Sequence, residues 1–301
     1  MPQLCILTLV LLTAEPLAAS DHFRKLEVDG QERSYYIHVP PQYDVAKRAP
    51  VVLAFHGAQT NAPIMALSSG LTLKSDKAGF ILVYPNGTGK GKMLLVWNSG
   101  SFRGPNAKNL PDDVAFVEQL LDDLATVVSV DPKRVYATGM SNGAMMCYRL
   151  AAELSDRIAA IAPVSGTMSA GRIRLKRPVP VIHFHGTEDK FVPFEGPDKT
   201  MSQLVTFKSV NETVRTWARL NGCPKTAESN EVPDTADDGT TVKRLVYGPG
   251  RHGAEVILYV IDGGGHTWPG RIFPVPFLGN TTRDISANDL MWEFFEKHPM
   301  K

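Results

Sequence analysis

Cysteine is scarce: three residues in a chain of 301, at positions 5, 147 and 223. So few leave room for one disulfide at most, and the fold cannot rest on a framework of them. An excess of charge of either sign is missing too. The formal net charge is +1, with acidic and basic residues interspersed, which removes the electrostatic case for nucleic acid or a membrane surface as a partner. No low-complexity tract, internal repeat or Pro/Ser-rich linker divides the chain, so it reads as one domain of a size well able to bury a large core. Long apolar runs are also absent. The longest at the N-terminus, Leu4–Leu12, is far short of the roughly 20 residues a membrane span takes.

What that N-terminus does contain is the pattern of a secretory signal. The apolar run is followed by Pro16 and by the small residues Ala18-Ala19-Ser20, with cleavage expected near Ala19 or Ser20. No Lys or Arg precedes the apolar core, a departure from the usual pattern. Residues 1–20 are therefore set aside as a signal peptide, residues 21–301 form the domain, and the expected location is secreted or periplasmic. Cys5 leaves with the signal. Cys147 and Cys223 are then free to pair, but Cys147 falls within a predicted helix, where a buried thiol is equally in keeping.

Two alternating stretches, Phe23–Val28 and Ser34–Val39, flank Asp29-Gly30, a hairpin turn signal. Continuous apolar runs at 50–55, 80–84, 158–164 and 179–184 read as strands buried on both faces. Further strands are predicted at 242–246 and 255–261. Helices are predicted around 65–78, from Asp112 (with Asp112-Asp113 as capping residues), after Ser141, at 211–220 and at 289–297. Residues 86–111 read as a long loop. The alternation of apolar strands with helices indicates an α/β fold: a mostly parallel, doubly wound sheet, with the N-terminal antiparallel hairpin leading into it.

Between the strand ending at Ala137 and the helix rich in Ala, Met and Leu lies Gly139-x-Ser141-x-Gly143, the pattern of a nucleophile elbow. A sharp strand-to-helix turn brings backbone so close to the serine that side chains at the flanking positions would clash. A serine hydroxyl near neutral pH needs a general base, and the base needs a partner to fix its tautomer. In a parallel sheet such groups belong at the carboxyl ends of strands. Val179–Phe184 is followed by His185-Gly186-Thr187-Glu188-Asp189, and 255–261 by Asp262-Gly263-Gly264-Gly265-His266. Asp189 and His266 are the partners selected, with Glu188 and Asp262 as rivals for the acid. His56 and His185 also follow buried strands, but each precedes glycine and suits a loop-shaping role. The oxyanion donors expected are the backbone N–H groups of Asn142 and Ala58, with Gln59 next in line. The order Ser141, Asp189, His266 is the one α/β-hydrolases use.

These residues, together with Ala54–Gly57, Trp97–Gly100, Asp112–Val117, Tyr136–Arg149, His185–Asp189 and Gly263–Gly270, make the chain resemble the secreted esterases of the polyhydroxybutyrate depolymerase and feruloyl esterase type, over nearly all of the domain. The resemblance implies an α/β-hydrolase fold and carboxylic ester hydrolysis. It implies no metal and no organic cofactor; the partner expected is a small or oligomeric ester (hydroxyalkanoate, hydroxycinnamoyl or acetyl), with neither nucleic acid nor a membrane once the signal is removed. Trp268 and Trp97 lie in motif loops expected to border the cleft, and are candidate substrate-binding residues. Relatives often carry cysteines where this chain reads Ser101-Phe102-Arg103, and pair the equivalent of Cys223 with one in the stretch matching Tyr247–Gly250. Phe102 and Arg103 therefore become candidates for altering substrate choice. Acetylxylan esterase activity, a serine peptidase of the same fold and a non-catalytic binding protein are the alternatives. The choice of ester is expected to rest on residues 86–111 and 267–284, and the lack of an attached polymer-binding module favours soluble substrates.

Overall fold

A computed structural model describes residues 17–169, 171, 173, 175–271 and 275–301. The expected signal peptide lies outside them up to residue 16. Strands β1 (Asp21–Val28) and β2 (Gln31–His38) pair antiparallel across Asp29-Gly30, whose φ values of 51° and 75° are what a tight primed turn requires. Strand β3 (Ala49–Phe55) is buried along its whole length. Where one helix is predicted around 65–78 there are two, α1 (Ala62–Ser69) and α2 (Leu71–Ala78). Gly70 separates them: at φ 62° it ends α1 in the left-handed conformation and donates its N–H to Ala66.

Strand β4 (Ile81–Pro85) follows. The stretch 86–111 is more ordered than a loop, holding a small hairpin of β5 (Thr88–Lys90) and β6 (Leu94–Val96) and the single turn α3 (Pro105–Lys108). Helix α4 (Asp113–Val127) is capped by Asp112, as expected. Then come β7 (Val130–Met140), α5 (Asn142–Glu153), β8 (Ala160–Val164) and β9 (Val181–Gly186). The chain closes with α6 (Val210–Asn221), β10 (Glu228–Glu231), β11 (Thr241–Tyr247), β12 (Val256–Asp262) and α7 (Ala287–Lys297).

Ten strands form one sheet in the order β1-β2-β4-β3-β7-β8-β9-β12-β11-β10. Its centre, β4 to β12, is parallel. The antiparallel pairs lie at both edges, β1-β2-β4 on one side and β12-β11-β10 on the other. Helices cover both faces, and β3 shows how: Val51, Leu53 and Phe55 join the core under α4, α5 and α6, while Val52 and Ala54 join the core under α1, α2 and α7. The period of two along a strand divides its apolar residues between two cores. This is the mostly parallel, doubly wound α/β sheet expected.

Cys147 and Cys223 are both free, the first buried and the second partly buried. A Cβ on Gly250 would lie 2.8 Å from the Cys223 sulfur, so the stretch named by the resemblance does face that thiol, with glycine in place of a partner.

Candidate active site

Ser141 sits between β7 and α5 with φ 58° and ψ −121°, a backbone state that a non-glycine residue keeps only when its surroundings impose it. They do. Its N–H donates to the Val164 carbonyl at 2.9 Å, and its own carbonyl accepts from Met145 at 3.0 Å. A Cβ on Gly139 would meet the Phe55 carbonyl oxygen at 2.7 Å, and on Gly143 or Gly166 the backbone of Phe55 or of Ser141 comes closer still. The glycines are there because α5 starts directly against the end of β3.

Asp189 follows β9, and His266 ends the glycine loop after β12. His266 Nδ1 donates to Asp189 Oδ2 at 2.7 Å. The other carboxylate oxygen accepts from the backbone N–H groups of Phe191 and Val192, each at 2.9 Å. Burial alone would raise the Asp189 pKa. The hydrogen bond and charge of His266, together with His185 and the Val192 N–H, outweigh it and hold the carboxyl below its usual range. With Nδ1 committed to Asp189, Nε2 is the nitrogen of His266 left for a proton in transit. The loop carrying His266 is pinned by Gly265 N–H to Asn280 and by His266 N–H to Leu278, at 2.9 and 2.7 Å. The rival acids are placed elsewhere: Glu188 is exposed, and Asp262 accepts from the Thr187 hydroxyl at 2.9 Å.

Behind Asp189 runs a buried polar chain. His185 Nε2 lies 2.8 Å from the Val192 carbonyl and 3.5 Å from Asp189 Oδ2. His185 Nδ1 faces His183 Nε2 at 3.0 Å, and His183 Nδ1 faces the Tyr148 hydroxyl at 2.7 Å. A carbonyl only accepts, so His185 carries its proton on Nε2, His183 donates to it, and Tyr148 donates to His183. Burial lowers the pKa of both imidazoles, in keeping with these neutral forms. His185 does more than shape its loop, since its ring, held by the Val192 carbonyl, packs beside the acid that faces His266.

On the opposite side, His56 is fully buried. Its Nδ1 donates to the Gly57 carbonyl at 2.8 Å and its Nε2 accepts from Gly87 N–H at 3.0 Å. Burial pushes its pKa down to about 4, so it is a satisfied neutral ring of the loop-shaping kind. Gln59 N–H is already spent on the Leu95 carbonyl at 2.7 Å, which leaves Ala58, also facing the cavity, as the candidate donor in that loop. Asn142 opens α5, where the first N–H groups have no partner within the helix.

Trp97 requires a correction. It has no exposed surface and forms no part of the cavity wall. Its ring packs on Phe55 and His56, with centroids 5.1 and 4.9 Å away, and its indole donates to the His56 carbonyl at 3.0 Å. Its backbone is clamped by the Asn142 side chain, which accepts from Trp97 N–H at 2.7 Å and donates to the Trp97 carbonyl at 3.1 Å. Trp97 is a strut joining the loop of Ala58 to the start of α5. Asn98, next to it, donates its N–H to buried Asp113 at 2.6 Å.

Ser141 and His266 share the wall of one cavity of about 590 Å³. Trp268 lines it, with its indole donating to Asn288 at 2.9 Å. Most of the remaining wall is apolar, from Ile64, Met65, Met140, Phe191, Val275 and Phe277. Described residues of the segment 267–284 contribute as expected, but none of the described residues of 86–111 is in the wall. That stretch acts from behind, through Leu95 and Trp97, and the other wall comes from residues 57–68. Phe102 pairs with Val205 and Arg103 with Leu204, also away from the cavity. Phe191, whose ring lies 5.1 Å from that of His266, was missed by sequence reasoning. Its position two residues after Asp189 was the available signal.

The family described as Esterase PHB depolymerase matches residues 33–175. The putative esterase NocK of Nocardia uniformis subsp. tsuyamanensis is 32% identical over 285 residues, covering 90% of this chain and 81% of that protein. The chain belongs to the PHB depolymerase esterase family. Two further relatives of this esterase are feruloyl esterase B of Piromyces equi, 27% identical, and the bifunctional acetylxylan esterase/xylanase XynS20E of Neocallimastix patriciarum, 26% identical. They align with 78% and 77% of this chain, which spans only 42% and 31% of their own lengths. Among solved structures, the acetyl xylan esterase from Aspergillus awamori superposes with a TM-score of 0.57 at 17% identity, covering 91% of this chain and 99% of that one. That likeness shows the α/β-hydrolase fold, and membership of the family makes the protein a carboxylic ester hydrolase.

Proposed function

We propose that the esterase works through an acyl-enzyme on Ser141, with His266 as general base and acid and Asp189 as its partner. Ser141 Oγ attacks the ester carbonyl while its proton passes to His266 Nε2. The tetrahedral oxyanion is held by the N–H groups of Asn142 and Ala58. Collapse breaks the bond to the alcohol, which leaves with the proton from His266. Water then adds to the acyl-enzyme by the same route, releasing the acid and restoring Ser141. Asp189 stays ionised throughout and stabilises the imidazolium.

The observation that carries this reading is the 2.7 Å contact of Asp189 with His266, at the wall of a cavity that also holds a serine in a strained elbow. The cavity volume lies within the usual range for small-molecule sites, and Trp268, Phe191 and Phe277 give it aromatic walls suited to small or oligomeric esters. Hydroxyalkanoate, hydroxycinnamoyl and acetyl esters are the substrate classes the relatives' names support. The N-terminal signal pattern supports export, to the periplasm or outside the cell. Ser141→Ala should lower kcat/KM on p-nitrophenyl butyrate by about a thousandfold or more, and an undiminished rate overturns the assignment. Comparison of kcat/KM on methyl ferulate, acetylated xylan and hydroxybutyrate oligomers then decides among the three.

A further inference from the structure

Arg271 stands out within the cavity. Among the described residues of its wall, it is the only Lys, Arg, Asp or Glu. Its loop is firmly seated. Arg271 N–H donates to the Trp268 carbonyl at 3.0 Å, the Trp268 indole donates to Asn288, and Asn288 donates in turn to the Ser69 carbonyl at 2.8 Å. The guanidinium lies over the break between α1 and α2, where a Cβ on Gly70 would come within 2.6 Å of its Cζ. Glycine at that position, required for the left-handed turn, also leaves the space the guanidinium fills.

A guanidinium offers five donors and is always charged. Several buried or part-buried arginines of this chain have carboxylate partners: Arg33 meets Asp113, Arg24 meets Asp123 and Arg149 meets Glu153. Arg271 Nε is buried with no acceptor, and among the described residues no carboxylate lies within the 4.0 Å of an ion pair. Gly70 both ends α1 and starts α2, so the two helix ends set opposing fields there, and neither supplies a hydrogen bond to the side chain. An unpaired cation at the wall of an otherwise apolar cavity is therefore poised for an anion that arrives with the substrate.

We propose that Arg271 is a specificity-determining residue that binds a carboxylate carried by the ester away from its scissile carbonyl. The substrate class is acidic esters, in which the acyl or the alcohol part ends in a free carboxylate. The proposal rests on the reading of Ser141 and His266 as the hydrolytic pair. The carboxylate and guanidinium form a charge-assisted, two-pronged pair, while a neutral ester of equal length leaves the guanidinium unsatisfied.

The test uses matched pairs of esters: mono-p-nitrophenyl glutarate against p-nitrophenyl hexanoate, of equal chain length, for the acyl side, and 3-acetoxybutyrate against its methyl ester for the alcohol side. The wild-type esterase is expected to favour the acid member of at least one pair by about tenfold or more in kcat/KM, the effect of a hydrogen bond to a charged group. That preference should weaken as salt rises. Arg271→Gln should remove the preference while turnover of the neutral member stays within about threefold, and Arg271→Lys should keep part of it. No preference in either pair, or an equal loss on both members in Arg271→Gln, overturns the proposal. Failure of the wild type to hydrolyse any of the four esters, or their undiminished hydrolysis by Ser141→Ala, instead overturns the hydrolytic reading on which it rests.

Discussion

Asp113 has no exposed surface, and its two carboxylate oxygens are divided between two tasks: Oδ1 meets the Arg33 guanidinium at 2.5 Å and Oδ2 accepts from Asn98 N–H at 2.6 Å. Burial raises its pKa, against the pull of Arg33, and Arg33 in turn lies 4.0 Å above the ring of Phe116. The pair thus ties β2 to the Trp97–Asn98 backbone, and through Asn142 to the start of α5. Asp113→Asn should cost about 3–5 kcal/mol, because it strands a buried charge on Arg33. It should also lower kcat on every ester alike, because the Asn142 clamp loosens; urea unfolding and a small ester panel would show both, and an unchanged stability would refute the role. Ser141, Asp189 and His266 stand out in the sequence as candidates, because each sits in a short pattern whose chemistry is local. The sequence made Asp113 look like a second cap beside Asp112 and Trp97 look like a cleft residue. Their true roles depend on Arg33, 80 residues from Asp113, and on His56 and Asn142, 41 and 45 residues from Trp97, partners that no local pattern names.

Between elements, α5 comes close against the end of β3, and Gly143 makes this possible. Glycine inside a helix costs about 1 kcal/mol relative to alanine, so propensity alone says that Gly143→Ala should stabilise the protein. The added methyl group would instead run into the carbonyls of Phe55 and His56, and overpacking of this kind costs about 1–3 kcal/mol. The second effect is larger. Gly143→Ala should lower the melting temperature and shift Asn142 N–H, reducing kcat more than KM changes; a higher melting temperature would show that α5 can move away freely. At this scale, the strands buried on both faces were legible as continuous apolar runs. Strand β10 was not, because all four of its residues are exposed and its pairing with β11 leaves no apolar alternation to read. The break at Gly70 was hidden for a different reason: a single glycine is tolerated in a helix, and only the left-handed turn that joins α1 to α2 shows what it is for.

Across the whole molecule, three fully buried histidines, His56, His183 and His185, stand at or behind the two sides of the site, and burial lowers the pKa of each. In the unfolded chain such groups titrate near 6.5, so in the interval below that value the unfolded state binds protons the folded state refuses. Stability therefore rises with pH through this interval and is lost as pH falls from about 6.5 toward the folded value, which for His56 is about 4. Each histidine contributes a slope of up to about 1.4 kcal/mol per pH unit there. Asp189 has the opposite timing. Its pKa is depressed, so the stability it contributes is present above the ordinary carboxylate range, near 3.9, and is lost only as pH falls below that. The protein should accordingly lose stability between about pH 6.5 and 4.5, before the Asp189 carboxylate is neutralised. Urea midpoints measured across that range should fall steeply, and His183→Gln, which keeps a neutral donor toward His185, should reduce the slope by about one proton. A flat profile would mean that these rings accept protons without unfolding the chain. An unaltered slope in the variant would mean that His183 is not among the groups responsible. If both measurements come out as expected, the stability lost in mild acid is that of the buried imidazoles, while Asp189, held below its usual carboxyl range, stays ionised in every molecule that remains folded.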